Sequence, residues 1–160
     1  MKKRIAFIGA ILSLIPLGQP LFLNTGLLLS SFLIMLSLPE QVNAESAYSY
    51  YNAGLKKYRT KDYYKAVYDF TRAIEIDPNF ADAYHWRGMV KMILKDYTSA
   101  LNDINKTLQL LPSDEAALAS LGLVKMFLGD KDGACAAWKK SSELGWENAK
   151  KWVSEDCSGN

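Results

Sequence analysis

The chain has 160 residues, 22% of them charged, and a formal net charge of +2. This length allows one modest domain besides a leader segment. Lys2, Lys3 and Arg4 are among the 19 basic residues and Glu40 is among the 17 acidic ones, so the chain beyond residue 44 is neutral. A neutral domain lacks the basic surface that phosphate backbones require, which argues against nucleic acid as a partner.

Residues 1–44 have the pattern of an export signal. A basic tip precedes an apolar tract over residues 5–38, and Val42 and Ala44 supply the small residues that a signal peptidase needs. The segment is longer than the usual ~15–30 residues, so two alternatives stay open. In the first alternative, the tract is one uncleaved membrane anchor. In the second, it forms a hairpin, although each arm is shorter than the ~20 residues that cross a bilayer.

This pattern predicts a signal peptide or N-terminal membrane anchor over residues 1–44. We expect an exported protein (periplasmic, secreted or lumenal) or one anchored facing the non-cytoplasmic side. Membrane contact is expected only through residues 5–38.

A repeat of 34 residues follows the leader. The phrase Lys-Asp-Tyr at 61–63 returns at 95–97. Four sets of residues keep the same interval through three units: Gly54, Gly88 and Gly122; Asp62, Asp96 and Asp130; Ala66, Ala100 and Ala134; Phe70, Ile104 and Trp138. Such regularity indicates a repeat architecture.

Each unit has the pattern of two helices joined by a short turn, because apolar residues recur at helical spacing in both halves. The aspartates precede the second helix, where we expect them to cap free N–H groups. Glycine inside a helix costs ~1 kcal/mol relative to alanine, so its return predicts close packing against the alanines of the second helix. Pro78 and Pro112 end that helix in the first two units. One hairpin cannot bury its own apolar face, whereas three stacked hairpins can.

These residues resemble the tetratricopeptide repeat (TPR) family. The second unit carries the motif's aromatic, glycine, alanine, bulky apolar and proline positions as Tyr84, Gly88, Tyr97, Ala100, Ile104 and Pro112. Arg87 departs from the motif, which prefers leucine there, and so do Lys57, Lys91 and Lys125, where it prefers tyrosine. The resemblance implies an all-α fold, a right-handed helical-hairpin solenoid of three TPR-like repeats at 47–80, 81–114 and 115–148 (degenerate), plus a C-terminal capping helix at 146–157.

The two cysteines lie at the end of the array. Cys135 is near the start of the third unit's second helix, and Cys157 ends the capping helix. If these helices pack antiparallel, the two thiols meet, and in an oxidising compartment such a pair forms a disulfide. We therefore predict a disulfide between Cys135 and Cys157.

No catalytic pattern is present in the sequence. His85 is the only histidine, so no set of metal ligands forms around it, and there is no glycine-rich phosphate loop. We predict a protein that is not an enzyme and that has no catalytic residue, no metal and no cofactor.

The resemblance implies instead a concave groove along the first helix of each unit, which holds a peptide or a helix of another protein. Carried over by position, the groove residues are Tyr48, Tyr51, Leu55, Tyr58, His85, Met89, Met92, Leu123 and Met126. Tyr58, Met92 and Met126 fit the core as well as the groove.

One subtype of the family holds acidic C-terminal tails with a clamp of lysine, asparagine and arginine. The matching positions here are Tyr51, Leu55, Trp86, Ala116 and Ser120, and none carries such a residue. We therefore expect an apolar or aromatic ligand. The first hypothesis for function is an exported module that binds a peptide or helix of an extracytoplasmic partner. The alternative is a membrane-anchored structural or assembly subunit of an envelope or thylakoid-type complex.

Overall fold

The computed structural model of the protein describes residues 46–157. Over these residues there are seven helices and no strand, which confirms the predicted all-α solenoid of helical hairpins. The helices are α1 (46–59), α2 (Tyr63–Ile76), α3 (Ala81–Ile93), α4 (Tyr97–Leu110), α5 (Glu115–Phe127), α6 (Lys131–Glu143) and α7 (Glu147–Asp156). The predicted signal or anchor, residues 1–44, lies outside the described residues. No helix within 46–157 is both long enough and apolar enough to cross a membrane.

The turn inside each hairpin contains a residue in the left-handed region. This residue is Lys61 (φ 60°) in the first unit, Lys95 (φ 64°) in the second and Gly129 (φ 84°) in the third. In each turn the following aspartate N–H donates at 2.9 Å to a lysine carbonyl five residues earlier, as in a Schellman cap. The Lys-Asp-Tyr phrase is therefore the end of one helix and the start of the next.

The predicted aspartate caps form in two units out of three. Asp96 accepts a hydrogen bond from the Ser99 N–H at 3.2 Å, and Asp130 accepts one from the Gly133 N–H at 2.9 Å. Asp62 makes no such bond. Its Oδ2 pairs instead with Nζ of Lys65 at 2.8 Å, so the prediction of a cap is wrong at this position.

The three glycines of the first helices each face the bulky residue of the paired helix. A Cβ at Gly54 would lie 2.7 Å from the ring of Phe70, and one at Gly88 would lie 3.1 Å from Ile104. The bulky residues of all three units are buried, and so are the repeated alanines Ala66, Ala100 and Ala134. The close approach that the repeat predicts is therefore real, and the large neighbour is the one that requires the glycine.

A buried charge cluster explains two departures from the repeat motif. The Arg87 guanidinium donates to both oxygens of Asp103, at 2.8 and 2.6 Å, and Nζ of Lys91 lies 2.8 Å from the same carboxylate. Asp103 is 4% exposed. In the third unit the position of Asp103 is occupied by alanine, and Lys125 pairs instead with Asp130 at 2.6 Å. The basic residues therefore pair with the second helix or the turn, and need not face the groove.

Helix α7 closes the C-terminal end of the solenoid. Ala149 is buried, and the ring of Trp152 lies 5.5 Å from that of Trp138 in α6. A disulfide joins Cys135 to Cys157, with the Cα atoms 5.7 Å apart. The start of α6 is thereby linked to the residue that follows α7.

Candidate ligand-binding groove

The inner helices of the three hairpins and α7 enclose an apolar pocket of about 360 Å³. Helix α1 contributes one residue, α3 and α5 contribute most of the wall, and the segment around α7 closes one side. The lining residues are Tyr58, His85, Trp86, Met89, Ala116, Ala119, Ser120, Leu123, Trp146, Asn148 and Trp152. None of them is a lysine, arginine, aspartate or glutamate, so the pocket is suited to an uncharged group.

Four of the predicted groove residues line this pocket: Tyr58, His85, Met89 and Leu123. They come from three helices that lie tens of positions apart in the sequence, and the stacking of α1, α3 and α5 brings them together. The ring centroids of Tyr58 and Trp86 lie 5.1 Å apart, which links the first hairpin to the second at the pocket wall. Tyr58 therefore lines the pocket and also packs against the core of the first hairpin.

Three more of the predicted residues lie on α1 outside the pocket. The ring of Tyr48, which is 57% exposed, stacks on Phe80 at 6.1 Å, and Tyr51 contacts Phe80 at 4.9 Å and Phe70 at 5.9 Å. Leu55 packs against the core of the first hairpin. These residues form an aromatic extension of the inner face rather than part of the pocket wall.

Met92 and Met126 lie in the core. Met92 is 9% exposed and packs with Ala100, Ile104 and Val124, because α5 covers that side of α3. Met126 packs against the cluster of Trp138 and Ala149, because α7 folds against α6 there. Helical spacing and repeat position predict that Met92 and Met126 lie on the same surface as Met89. In the structure, however, neighbouring helices pack against both of them.

Sequence reasoning missed a second set of lining residues. Trp86 and Ser120 were considered only as positions of the acid clamp, and Trp146, Asn148 and Trp152 only as part of the capping helix. The tryptophan pair at positions 146 and 152 was the available signal. Trp152 lies on α7 and Trp146 is the residue that precedes this helix.

A small polar group lies inside the apolar wall. Nε2 of His85 is 2.9 Å from Oγ of Ser120, and that hydroxyl also lies 2.9 Å from the Ala116 carbonyl oxygen and 3.3 Å from Sδ of Met89. Burial lowers the pKa of His85, against the opposing effect of the Asp114 and Asp82 carboxylates. The imidazole is therefore neutral at pH 7, where it offers a hydrogen bond and no charge.

The indole of Trp146 carries a second polar atom at the wall. Its Nε1 is buried and has no hydrogen-bond partner within residues 46–157. An unpaired buried donor costs about 1–3 kcal/mol. Among the described residues, the C-terminal side of the pocket therefore contains a buried hydrogen-bond donor without a partner.

Two sequence models of the tetratricopeptide repeat family match the chain, one over residues 47–80 and the other over residues 70–102. The chain carries tetratricopeptide repeats over residues 47–102. This confirms the family predicted from the 34-residue columns. TPR domains are protein-interaction modules and not enzymes, in agreement with the sequence prediction. No curated protein matches the sequence.

Solved TPR domains share the fold. The first TPR of Spaghetti (RPAP3), bound to the HSP90 peptide SRMEEVD, matches with a TM-score of 0.69 and 21% identity over 71% of this chain and 92% of that chain. The second TPR domain of human RPAP3, in complex with the HSP70 peptide SGPTIEEVD, has a TM-score of 0.65 and 24% identity over 73% and 97%. The Sgt2 TPR domain from Aspergillus fumigatus has a TM-score of 0.66 and 22% identity over 69% and 76%.

The prediction of an exported or membrane-anchored protein is wrong. The similar structures, among them those of RPAP3 and Sgt2, are mostly cytosolic chaperone-adaptor domains, and no comparison shows an export signal. The prediction depended on the composition of residues 1–44, whose length already exceeded that of an ordinary signal.

Proposed function

We propose that this TPR protein is an interaction module whose inner pocket accepts an apolar side chain from a peptide or helix of another protein. The observation that carries the proposal is the uncharged lining of the 360 Å³ pocket, built by α1, α3, α5 and the α7 segment. Ligand sites have about this size and are mostly apolar, with a few polar groups that orient the ligand.

The pocket offers both kinds of contact. The indoles of Trp86 and Trp152 supply large rigid walls, and tryptophan is among the residues that contribute most binding energy at interfaces. Met89 adapts to irregular apolar shapes because its side chain is unbranched and polarisable. The exposed Asn148 amide in the lining can hydrogen-bond to a peptide backbone.

The solved relatives support a peptide as the ligand and also indicate a difference. The two RPAP3 domains were solved with SRMEEVD and SGPTIEEVD, both of which end in acidic residues. The five positions of this chain that match the acid clamp hold no lysine, arginine or asparagine. An acidic tail would therefore lack a counter-charge here, and an apolar ligand is favoured.

A selection from a random peptide library tests the proposal. The full chain and a Met89→Glu, Leu123→Glu variant are immobilised in parallel, and a displayed library of 12-residue peptides is selected on each. We expect apolar or aromatic peptides to be enriched on the wild-type chain and not on the variant, because each glutamate places a charge in the pocket wall. Binding of the selected peptides should change tryptophan fluorescence, since three of the four tryptophans line the pocket.

The matched control is Tyr68→Glu, which introduces the same charge at an exposed position of α2. Circular dichroism must show that all variants are folded. Selected peptides should bind the control as they bind the wild type, and the synthetic peptide SRMEEVD should not bind either protein. Equal enrichment on the wild type and on the pocket variant would refute the proposal.

A further inference from the structure

The ligand's charge follows from the groups around the pocket. Two carboxylates lie within one helical turn of residues that line the pocket. Asp82, in the first turn of α3, precedes His85 by three residues and so lies on the same helical stripe. Asp114, the residue that caps α5, precedes Ala116 by two residues. Both carboxylates also act electrostatically on His85, which agrees with this placement.

Within residues 46–157 neither carboxylate has an ion-pair partner. Asp114 accepts only the capping hydrogen bond from the Ala117 N–H at 2.8 Å. The buried cations of α3 are unavailable to them, because Arg87 and Lys91 are bound by Asp103. His85 does not neutralise the carboxylates either, since burial keeps its ring uncharged at pH 7.

The pocket wall is compatible with a basic side chain through the aliphatic part of that side chain. Four aromatic residues line the pocket: Tyr58, Trp86, Trp146 and Trp152. The long aliphatic stem of lysine or arginine can pack on such apolar surface while the charged end stays near water. A basic residue is thus complementary both to the uncharged wall and to the uncompensated carboxylates of Asp82 and Asp114.

We propose that the ligand is a segment of another protein in which a lysine or arginine adjoins the apolar side chain, and that Asp82 and Asp114 bind this cation. This inference rests on the proposed function, because the same pocket receives the apolar residue. The proposed preference for a positively charged ligand is opposite to that of the clamp that binds acidic tails. Positive ligands are attracted to this groove, and negative ones are repelled by the same two carboxylates.

The peptides selected on the full chain supply the first result. We expect lysine or arginine to be enriched next to the apolar or aromatic positions, and replacing that basic residue by serine in a synthetic peptide should weaken its binding. Exposed ion pairs contribute about 0.2–1 kcal/mol each, so an Asp82→Asn, Asp114→Asn variant should bind the parent peptide about two- to thirtyfold more weakly. Asparagine still caps a helix, so Asp114→Asn preserves α5.

Salt provides a second readout. Binding to the wild type should weaken between 50 and 500 mM salt because the ion pairs are exposed, and binding to the double asparagine variant should change less. Glu143→Gln, an exposed change at the end of α6, is the matched control and should leave both the affinity and the salt dependence as they are.

Different results would overturn the charge inference and the proposed function. Enriched apolar peptides without basic residues, or equal affinity of the wild type and the double asparagine variant, would overturn the charge inference and leave the apolar pocket in place. No enrichment on the wild type beyond that on the Met89→Glu, Leu123→Glu variant would overturn both. Enrichment of acidic peptides would overturn the charge inference and would also contradict the absence of an acid clamp.

Discussion

The indole of Trp138 occupies the space that a side chain at position 122 would need. A Cβ at Gly122 would overlap with Nε1 of Trp138, whereas a Cβ at Gly88 would come no closer than 3.1 Å to Ile104. Trp138 is held in place because its Nε1–H donates to the Ala119 carbonyl oxygen at 3.1 Å. The largest side chain of the bulky column therefore lies against the glycine with the least free space.

Gly122→Ala should lower the free energy of unfolding by about 3 kcal/mol, because overpacking a core costs about 1–3 kcal/mol and occasionally more. Gly88→Ala is the comparison, and we expect it to stay within about 1 kcal/mol of the wild type, since the helix-propensity gain of ~1 kcal/mol offsets milder crowding. Urea unfolding followed by circular dichroism measures both. Equal effects at the two positions would show that Trp138 can move aside.

The left-handed turn residue Lys95 predicts a stabilising change. A residue with a Cβ costs roughly 1–2 kcal/mol in this region, while glycine adopts it without that cost. Lys95→Gly should raise the free energy of unfolding by about 1 kcal/mol, as the third unit already uses Gly129 there. Lys95→Ala is the control and should not stabilise, because alanine keeps the Cβ. A gain in the alanine variant would assign the effect to the lost charge instead.

Removing Asp103 should leave Arg87 and Lys91 without their shared counter-charge. Breaking a buried pair costs about 3–5 kcal/mol, and we expect about 2–4 kcal/mol for Asp103→Ala because both cations are partly exposed. Arg87→Leu introduces the residue that the TPR motif prefers. In that variant, Asp103→Ala should lower the free energy of unfolding by less than it does in the wild type. A double-mutant cycle checks this, and a coupling energy near zero would mean that Arg87 does not depend on Asp103.

His85 should make the free energy of unfolding depend on pH, beginning at about 7.5 and continuing downward to its folded-state pKa. Its folded-state pKa is lowered by burial, whereas in the unfolded chain it titrates near 6.5. The unfolded state therefore binds the proton first, and the free energy of unfolding falls as pH decreases through about 6.5 and levels off below the folded-state pKa. Because His85 is the only histidine, His85→Gln should remove this slope. Parallel curves for the two proteins would contradict the assignment.

Reduction of Cys135–Cys157 should loosen α7. The disulfide closes a loop with a sequence separation of 22 residues, and the chain-entropy model assigns such a loop about 3 kcal/mol. A Cys135→Ser, Cys157→Ser variant should lose about that amount. Amide hydrogen exchange should then increase in α7 before it increases in α3 or α4. Unchanged protection of α7 would show that Ala149 and Trp152 hold the helix without the disulfide.

The hairpins could be predicted from the sequence because their determinants are local. A period of 34 residues, a glycine, an aspartate and a proline at fixed places specify each turn and helix within one unit. The failure at Asp62 shows where local reasoning ends. The residue three positions after the aspartate is Ser99 or Gly133 in the second and third units and Lys65 in the first, where its ammonium group, and not its N–H, binds the Asp62 carboxylate.

The pocket could be predicted only in part, because it depends on which helix covers which stripe. Met89, Met92 and Met126 are equivalent by helical spacing, yet α5 covers Met92 and α7 covers the region of Met126. Trp146, which precedes α7, and Trp152, on α7, each contact both the core and the pocket. Neither fact is contained in a periodic pattern.

The disulfide also gives the array a direction. In a solenoid each hairpin contacts only its neighbours, so opening begins at an end and travels inward. The C-terminal end is closed into a covalent ring, whereas α1 is retained by side-chain contacts such as those of Tyr51 with Phe70 and Phe80. Unfolding should therefore proceed from α1 toward α7. Trp146 and Trp152 then belong to the last segment that unfolds.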